Sequence, residues 1–201
     1  MLLLLLIVGC SSNDKSPGAK GYHTFQRTKI NLSNAQDQVD KTLAAMDQFQ
    51  YSGNLNNQFD QYKAEVRKLE EFNKDANWRA QSMKENMDAY MTNWEREMET
   101  LTDPGIKASM AARRDAVRAN FAQVSAGADE ARGAFGAFLK DHQEIVKAMA
   151  INLSRPTLPG LQPTMQRAHV DGKTLKSKIS AIQQQLNNIE RGLGASGAAG
   201  T

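Results

Sequence analysis

From Leu55 onward, core-type positions recur in steps of four and three: Phe59, Tyr62, Val66, Leu69, Asn73, Ala76, Ala80, Met83, Met87, Tyr90, Trp94, Glu97 and Leu101. Asn73 and Glu97 interrupt this heptad rhythm, and Phe72 and Met98 stand beside them to take over the packing. A sustained period of this kind keeps one apolar seam turned toward partner helices and imposes left-handed supercoiling. A second seam follows through Arg114, Val117, Phe121, Val124, Ala128, Ala131, Phe135, Phe138, His142, Ile145 and Met149. A third runs from Leu161 through Met165, Ala168, Gly172, Leu175, Ile179, Ile182, Leu186 and Ile189 to Leu193. Upstream, Leu32, Ala35, Val39, Leu43, Met46 and Phe49 form a shorter one, with Asn31 or Ser33 as N-cap. Strand-type alternation is almost absent.

The breaks divide these seams into elements. "QYSGN" around Gly53 separates the first helix from the second, and "LTDPG" offers Asp103 as N-cap with Pro104 at the first helical position. "SRPTLPGLQP" carries three prolines and a glycine, which interrupt a helix. The pattern predicts an all-α fold with two long helices, about 54–101 and 104–152, and two shorter ones, about 32–50 and 160–193. At 1.5 Å per residue the long helices span roughly 70 Å, the first about 30 Å and the last about 50 Å. Short connections make neighbours antiparallel, giving an elongated helical bundle or coiled coil over 31–193. The turn between the long helices should project as a two-helix tip, so Leu101, Thr102, Asp103 and Lys107 are candidate interaction residues.

Charge is uneven along this frame. Residues 54–101 hold seven Lys and Arg against ten Asp and Glu, whereas residues 155–193 hold six against two. Pairing of the acidic segment with the basic one inside the bundle is the expected outcome. Arg113, Arg114 and Arg118 form a basic patch near the tip, opposite Glu95, Glu97 and Glu99. An ion-pair cluster is the plain reading of that patch, and a site for phospholipid headgroups or cell-wall carboxylates the sharper one. Sparse aromatics give no stacking platform for nucleic acid.

Chemistry-bearing constellations are scarce. His23 lies upstream of the helices, His142 on a seam and His169 near the start of the last helix. Asp141 and His142 are sequence neighbours about 100° apart on a helix, so they do not form an acid–base pair. No phosphate-binding glycine loop, zinc-binding His-Glu-x-x-His or nucleophile elbow occurs, and we expect no catalytic site, metal site or cofactor. The small-residue run "AGADEARGAFGAF" includes Gly127, Gly133 and Gly136 and suits close helix approach, while seam methionines suit gap-filling.

The chain opens on "MLLLLLIVGC", an apolar run well short of the roughly 20 residues that cross a bilayer. It fits the apolar region of an export signal, although no positive charge precedes it, and we expect the natural start to lie further upstream. Ile7-Val8-Gly9-Cys10 resembles the lipobox of bacterial lipoproteins. The resemblance implies removal of a 1–9 signal sequence, lipid attachment (diacylglyceryl and palmitate-type acylation) at Cys10, and a flexible tether over 10–30. Several chains on one residue anchor stably where a single chain does not. Ser11 in place of Asp points, by the same resemblance, to the periplasmic face of the outer membrane. After Leu193, "GASGAAGT" (194–201) reads as a disordered tail.

The order "NWEREMETLTDPGIKASMAARRDAVRANFAQV", then "FLKDHQEIVKAMAINL" and a long final helix, resembles an uncharacterised bacterial family catalogued as domain of unknown function 2959. Trp94-Glu95 before the Thr102-Asp103 turn and the ending Ala150-Ile151-Asn152-Leu153 carry the likeness, which spans about residues 35–190. It implies shape and location without an activity. The expectation is a lipid-anchored, non-enzymatic rod that meets an envelope protein or a second copy of itself; the alternative is a module that associates with anionic membrane or cell wall through basic helix faces.

Overall fold

Four long helices joined by short turns make up the computed structural model, which describes residues 17–198. They are α1 (Pro17–Asp47), α2 (Leu55–Glu99), α3 (Pro104–Ile151) and α4 (Leu158–Ala198). Single 3-10 turns at Gln48–Gln50 and Arg155–Thr157 help close the α1–α2 and α3–α4 connections. The architecture is an antiparallel all-α bundle, and there is no strand among the described residues. α3 packs most extensively on α4, while α1 bridges α2 and α4. Going around the bundle the order is therefore α1, α2, α3, α4, with α2 and α4 on a diagonal.

The α1–α2 and α2–α3 connections end in local caps. Asn54 caps α2 by accepting the Asn57 backbone N–H at 3.2 Å, and Asp103 caps α3 by accepting that of Ile106 at 2.8 Å. Pro104 follows at a first-turn position, where its missing N–H is not needed. The main core combines Val39, Met46, Phe49, Phe59, Tyr62, Val66 and Leu69 with Phe138, Ile145, Met149, Leu175 and Ile179. A smaller cluster of Val124, Ala131, Ile182 and Leu186 continues it toward the α2–α3 turn. Gly172 is where α4 comes closest: a Cβ there would lie 3.0 Å from both Leu43 Cδ1 and Phe138 Cε2.

Several expectations change at the element ends. α1 begins at Pro17, so residues 17–30, expected as tether, are helical, and Asn31 and Ser33 lie inside the helix. Residues 17–30 carry only Tyr22, Phe25 and Ile30 as large apolar residues, too few for the hydrophobic pattern to register a helix. α4 extends to Ala198 and so takes in most of the stretch read as a disordered tail. Pro159 and Pro163 both lie in α4, leaving Pro156 alone in the break. Pro159 occupies the first turn, where amides have no intrahelical partner, and Pro163 is exposed close behind it. Seam positions at Ala76, Ala80, Met83 and Leu193 lie outside the described side chains.

Near the α2–α3 turn the seam passes through Met91 and Met98, 7% and 8% exposed. Tyr90 and Glu97, one residue earlier in each case, face solvent. A thioether side chain buries without loss, whereas a hydroxyl or carboxylate would have to be dehydrated. Tyr90 keeps an edge-on contact with Trp94, ring centroids 5.6 Å apart.

Candidate functional site

Three places on the bundle carry polar or exposed chemistry: the α2–α3 hairpin end, the buried centre and the opposite end with its two loops. At the hairpin end Thr102, Asp103 and Lys107 are exposed and Leu101 is partly so. Asp103 is committed to its capping bond, and Thr100 Oγ1 donates to the Glu97 carbonyl at 2.7 Å, closing the last turn of α2. Ile106, absent from the sequence-based candidates, is 51% exposed. It stands one turn into α3, off the seam that begins at Arg114, and that offset is the signal the periodicity held.

The arginine patch is largely occupied. Arg118 Nη2 donates to Glu95 Oε1 at 2.7 Å across the hairpin, and Arg114 donates to Asp115 Oδ1 at 2.7 Å while its other Nη lies 3.8 Å from Glu95. These are ion pairs in solvent, individually weak. Arg113 lies near Tyr90, where its charge opposes the upward push that burial gives the Tyr90 hydroxyl pKa. Among the described residues, the ion pairs of α4 do not follow the expected acidic-to-basic match with α2. Lys176 reaches Asp40 on α1 at 2.7 Å, and Lys178 reaches Glu130 on α3 at 2.6 Å. Arg167 pairs with Asp141 on α3 at 3.2 Å and His169 with Asp47 on α1 at 2.8 Å. The diagonal placement of α2 and α4 explains the change, since only adjacent helices bring side chains within reach.

In the centre, Asp141 and His142 turn to different partners, as their helical offset requires. His142 is fully buried, and its Nδ1 lies 2.7 Å from Tyr62 Oη. The imidazole tautomer sets which of the two donates. Tyr62 Oη is also 3.4 Å from the His142 carbonyl. The Phe138 ring stands edge-on to the imidazole at 4.3 Å between centroids. His142 Nε2 and Asp141 Oδ2 are buried without a hydrogen-bond partner. Burial, followed by the nearby charge of His169, lowers the His142 pKa from 6.5 to about 3, so the imidazole is neutral near pH 7. Burial and then the Asp141 charge raise the pKa of the Tyr62 hydroxyl. A buried imidazole held by a phenol has the geometry of a polar core contact.

At the two-loop end, Arg155 holds the connections together. Its Nη1 donates to the Phe49 carbonyl at 2.9 Å, and its Nη2 to the Gly53 carbonyl at 3.0 Å and to Gln58 Oε1 at 3.2 Å. Tyr51 and Ile151 stand beside it, 61% and 87% exposed. Arg155 escapes sequence reading because its acceptors are two carbonyls about a hundred residues away.

Cys10, with the 1–9 stretch and residues 11–16, lies outside the described residues. Among the described residues no group of three or more His, Cys, Asp or Glu could hold a metal ion, and no helix is long and apolar enough to cross a membrane. No protein-family model, curated protein or solved structure matches the chain.

Proposed function

We propose that this chain is a lipid-anchored rod of the bacterial envelope, held through Cys10 at the periplasmic face of the outer membrane, with a structural or protein-interaction role and no catalytic one. The observation that carries the reading is the Ile7-Val8-Gly9-Cys10 tetrapeptide at the end of an apolar leader, with the chain's one cysteine as its last residue. The bundle supports the non-catalytic part. Its buried titratable pair, Tyr62 and His142, is spent on packing, and the arginines near the hairpin pair with carboxylates, Arg114 with Asp115 and Arg118 with Glu95. The same ion pairs count against an anionic surface as the main ligand of that patch.

Two measurements test the reading. Labelled palmitate should enter the wild-type chain and not Cys10→Ala; equal labelling removes the anchor. Photo-crosslinking residues at Thr102 and Lys107 on the hairpin end, and at Tyr51 and Ile151 on the loop end, should trap a defined envelope protein or a second copy of the chain. Only diffuse products from all four positions would sink the interaction role.

A further inference from the structure

The N-terminus of α1 and the α2–α3 hairpin lie toward the same end of the rod. α1 pairs with α4 in falling register: Asp47 with His169, Asp40 with Lys176 and Gln36 with Ser180. Its N-terminus therefore points along α4 toward the end where α2 turns into α3, and away from the loops at 48–54 and 152–157. Helix α1 has 31 residues, which places Pro17 about 46 Å from the loop end. Seven residue steps separate Cys10 from Pro17, a reach of at most about 25 Å even when fully extended. A lipid on Cys10 thus cannot stand the rod upright on its loop end.

We infer that the α2–α3 hairpin is the membrane-proximal end of the bundle, and that the two-loop end points away from the lipid. This rests on the anchoring of Cys10 proposed above. The hairpin suits the place: exposed Ile106 beside partly exposed Leu101 offers apolar contact, and Lys107 offers an ammonium to phosphate headgroups. Asp103, four residues before Lys107, is turned to the Ile106 backbone N–H as the cap of α3. Among the described side chains, the large apolar residues exposed on the sides of the rod, Ile30, Tyr90 and Val170, stand singly on three different helices. With α3 at 48 residues, Tyr51 and Ile151 stand about 70 Å out, where a partner across the periplasm would meet them.

Depth-dependent quenching tests this orientation. Thr102→Cys and Ser52→Cys, both at exposed positions, each add one free thiol to a chain whose own cysteine is acylated. The lipidated proteins, fluorophore-labelled at the new thiol, are reconstituted in phosphatidylglycerol–phosphatidylethanolamine vesicles carrying headgroup spin label. Intact mass first establishes acylation. With Cys10 acylated, quenching several-fold stronger at position 102 than at 52 is expected. Equal quenching, or stronger quenching at 52, overturns the orientation and leaves the anchor standing. A chain with no acyl group on Cys10 overturns both.

Discussion

Tyr62 and His142 are 80 residues apart in sequence and 2.7 Å apart in the bundle, where the phenol and the imidazole Nδ1 share a hydrogen bond with no exposure to solvent. The pair ties α2 to α3 near the loop end, where Phe49 and Phe138 pack edge-on against its two rings. It is a polar contact inside an apolar core, so its value depends on both partners being present.

Removing one partner exposes that dependence. Tyr62→Phe keeps the ring and leaves Nδ1 of His142 buried without a partner, which costs about 1–3 kcal/mol. Urea unfolding should show a lower midpoint at unchanged slope. An unaltered midpoint would mean that the hydroxyl contributes nothing.

Acid should act through the same imidazole. His142 takes up its proton near pH 6.5 when unfolded and only at about 3 when folded. Between those values the unfolded chain binds more protons, so stability rises with pH and is lost as pH falls below about 6.5. At its steepest the slope is about 1.4 kcal/mol per pH unit. The difference in unfolding free energy between wild type and His142→Gln, followed from about pH 7 to pH 5, should shrink or reverse on acidification. At Glu65 burial is outweighed by hydrogen bonds from Lys68 and Gln38 and by lysine charge, and at Glu130 the hydrogen bond and charge of Lys178 act; both pKa values are lowered from 4.5, so their contributions are lost only at lower pH. A difference that stays constant over this window contradicts the buried neutral imidazole.

The glycines divide into two kinds. A Cβ on Gly133 or Gly136 meets nothing within 4 Å, so Gly133→Ala and Gly136→Ala should each raise stability by up to about 1 kcal/mol through helix propensity. Gly172→Val should lower it by about 1–3 kcal/mol, because Leu43 and Phe138 already stand at contact distance. Melting temperatures of the three variants check this, and a stabilised Gly172→Val would contradict the close approach of α4.

Arg155 should hold the loop end closed. Arg155→Ala removes three hydrogen bonds between the connections and should cost about 1–3 kcal/mol. Limited proteolysis should then cut faster within residues 48–54. Arg155→Lys should recover only part of the loss, since an ammonium cannot span two carbonyls with a fixed fork. Identical cleavage rates for wild type and Arg155→Ala would remove the clamp.

The heptad seams of α3 and α4 were readable from spacing alone, because each of these helices buries one continuous stripe against its neighbours. The run from Val124 to Met149 and that from Met165 to Leu186 lie in the core or at its edge. Caps at Asp103 and the break at Gly53 were equally legible, being local chemistry. Reading failed where partners are distant. The Tyr62–His142 bond, the Arg155 clamp and the reach of Gln38 Nε2 to Glu65 Oε2 at 2.8 Å all join different helices, and no spacing within one helix encodes them. It also failed at Met91, where hydration of Tyr90 moves the seam by one residue, whereas Met98 takes over from Glu97 as the spacing predicts. The candidate site divides the same way: Leu101, Thr102, Asp103 and Lys107 fall at the hairpin end that the sequence placed, Ile106 was marked there only by standing off the seam, and Tyr51 and Ile151 needed the fold.

Everything said of location and orientation turns on one residue. Mass spectrometry of the N-terminal peptide from protein extracted out of native membranes tests it most directly. The account predicts a chain that begins at Cys10, with a diacylglyceryl thioether on its sulfur and an acylated amino group. A chain that retains Met1, or a Cys10 with a free thiol, would contradict it.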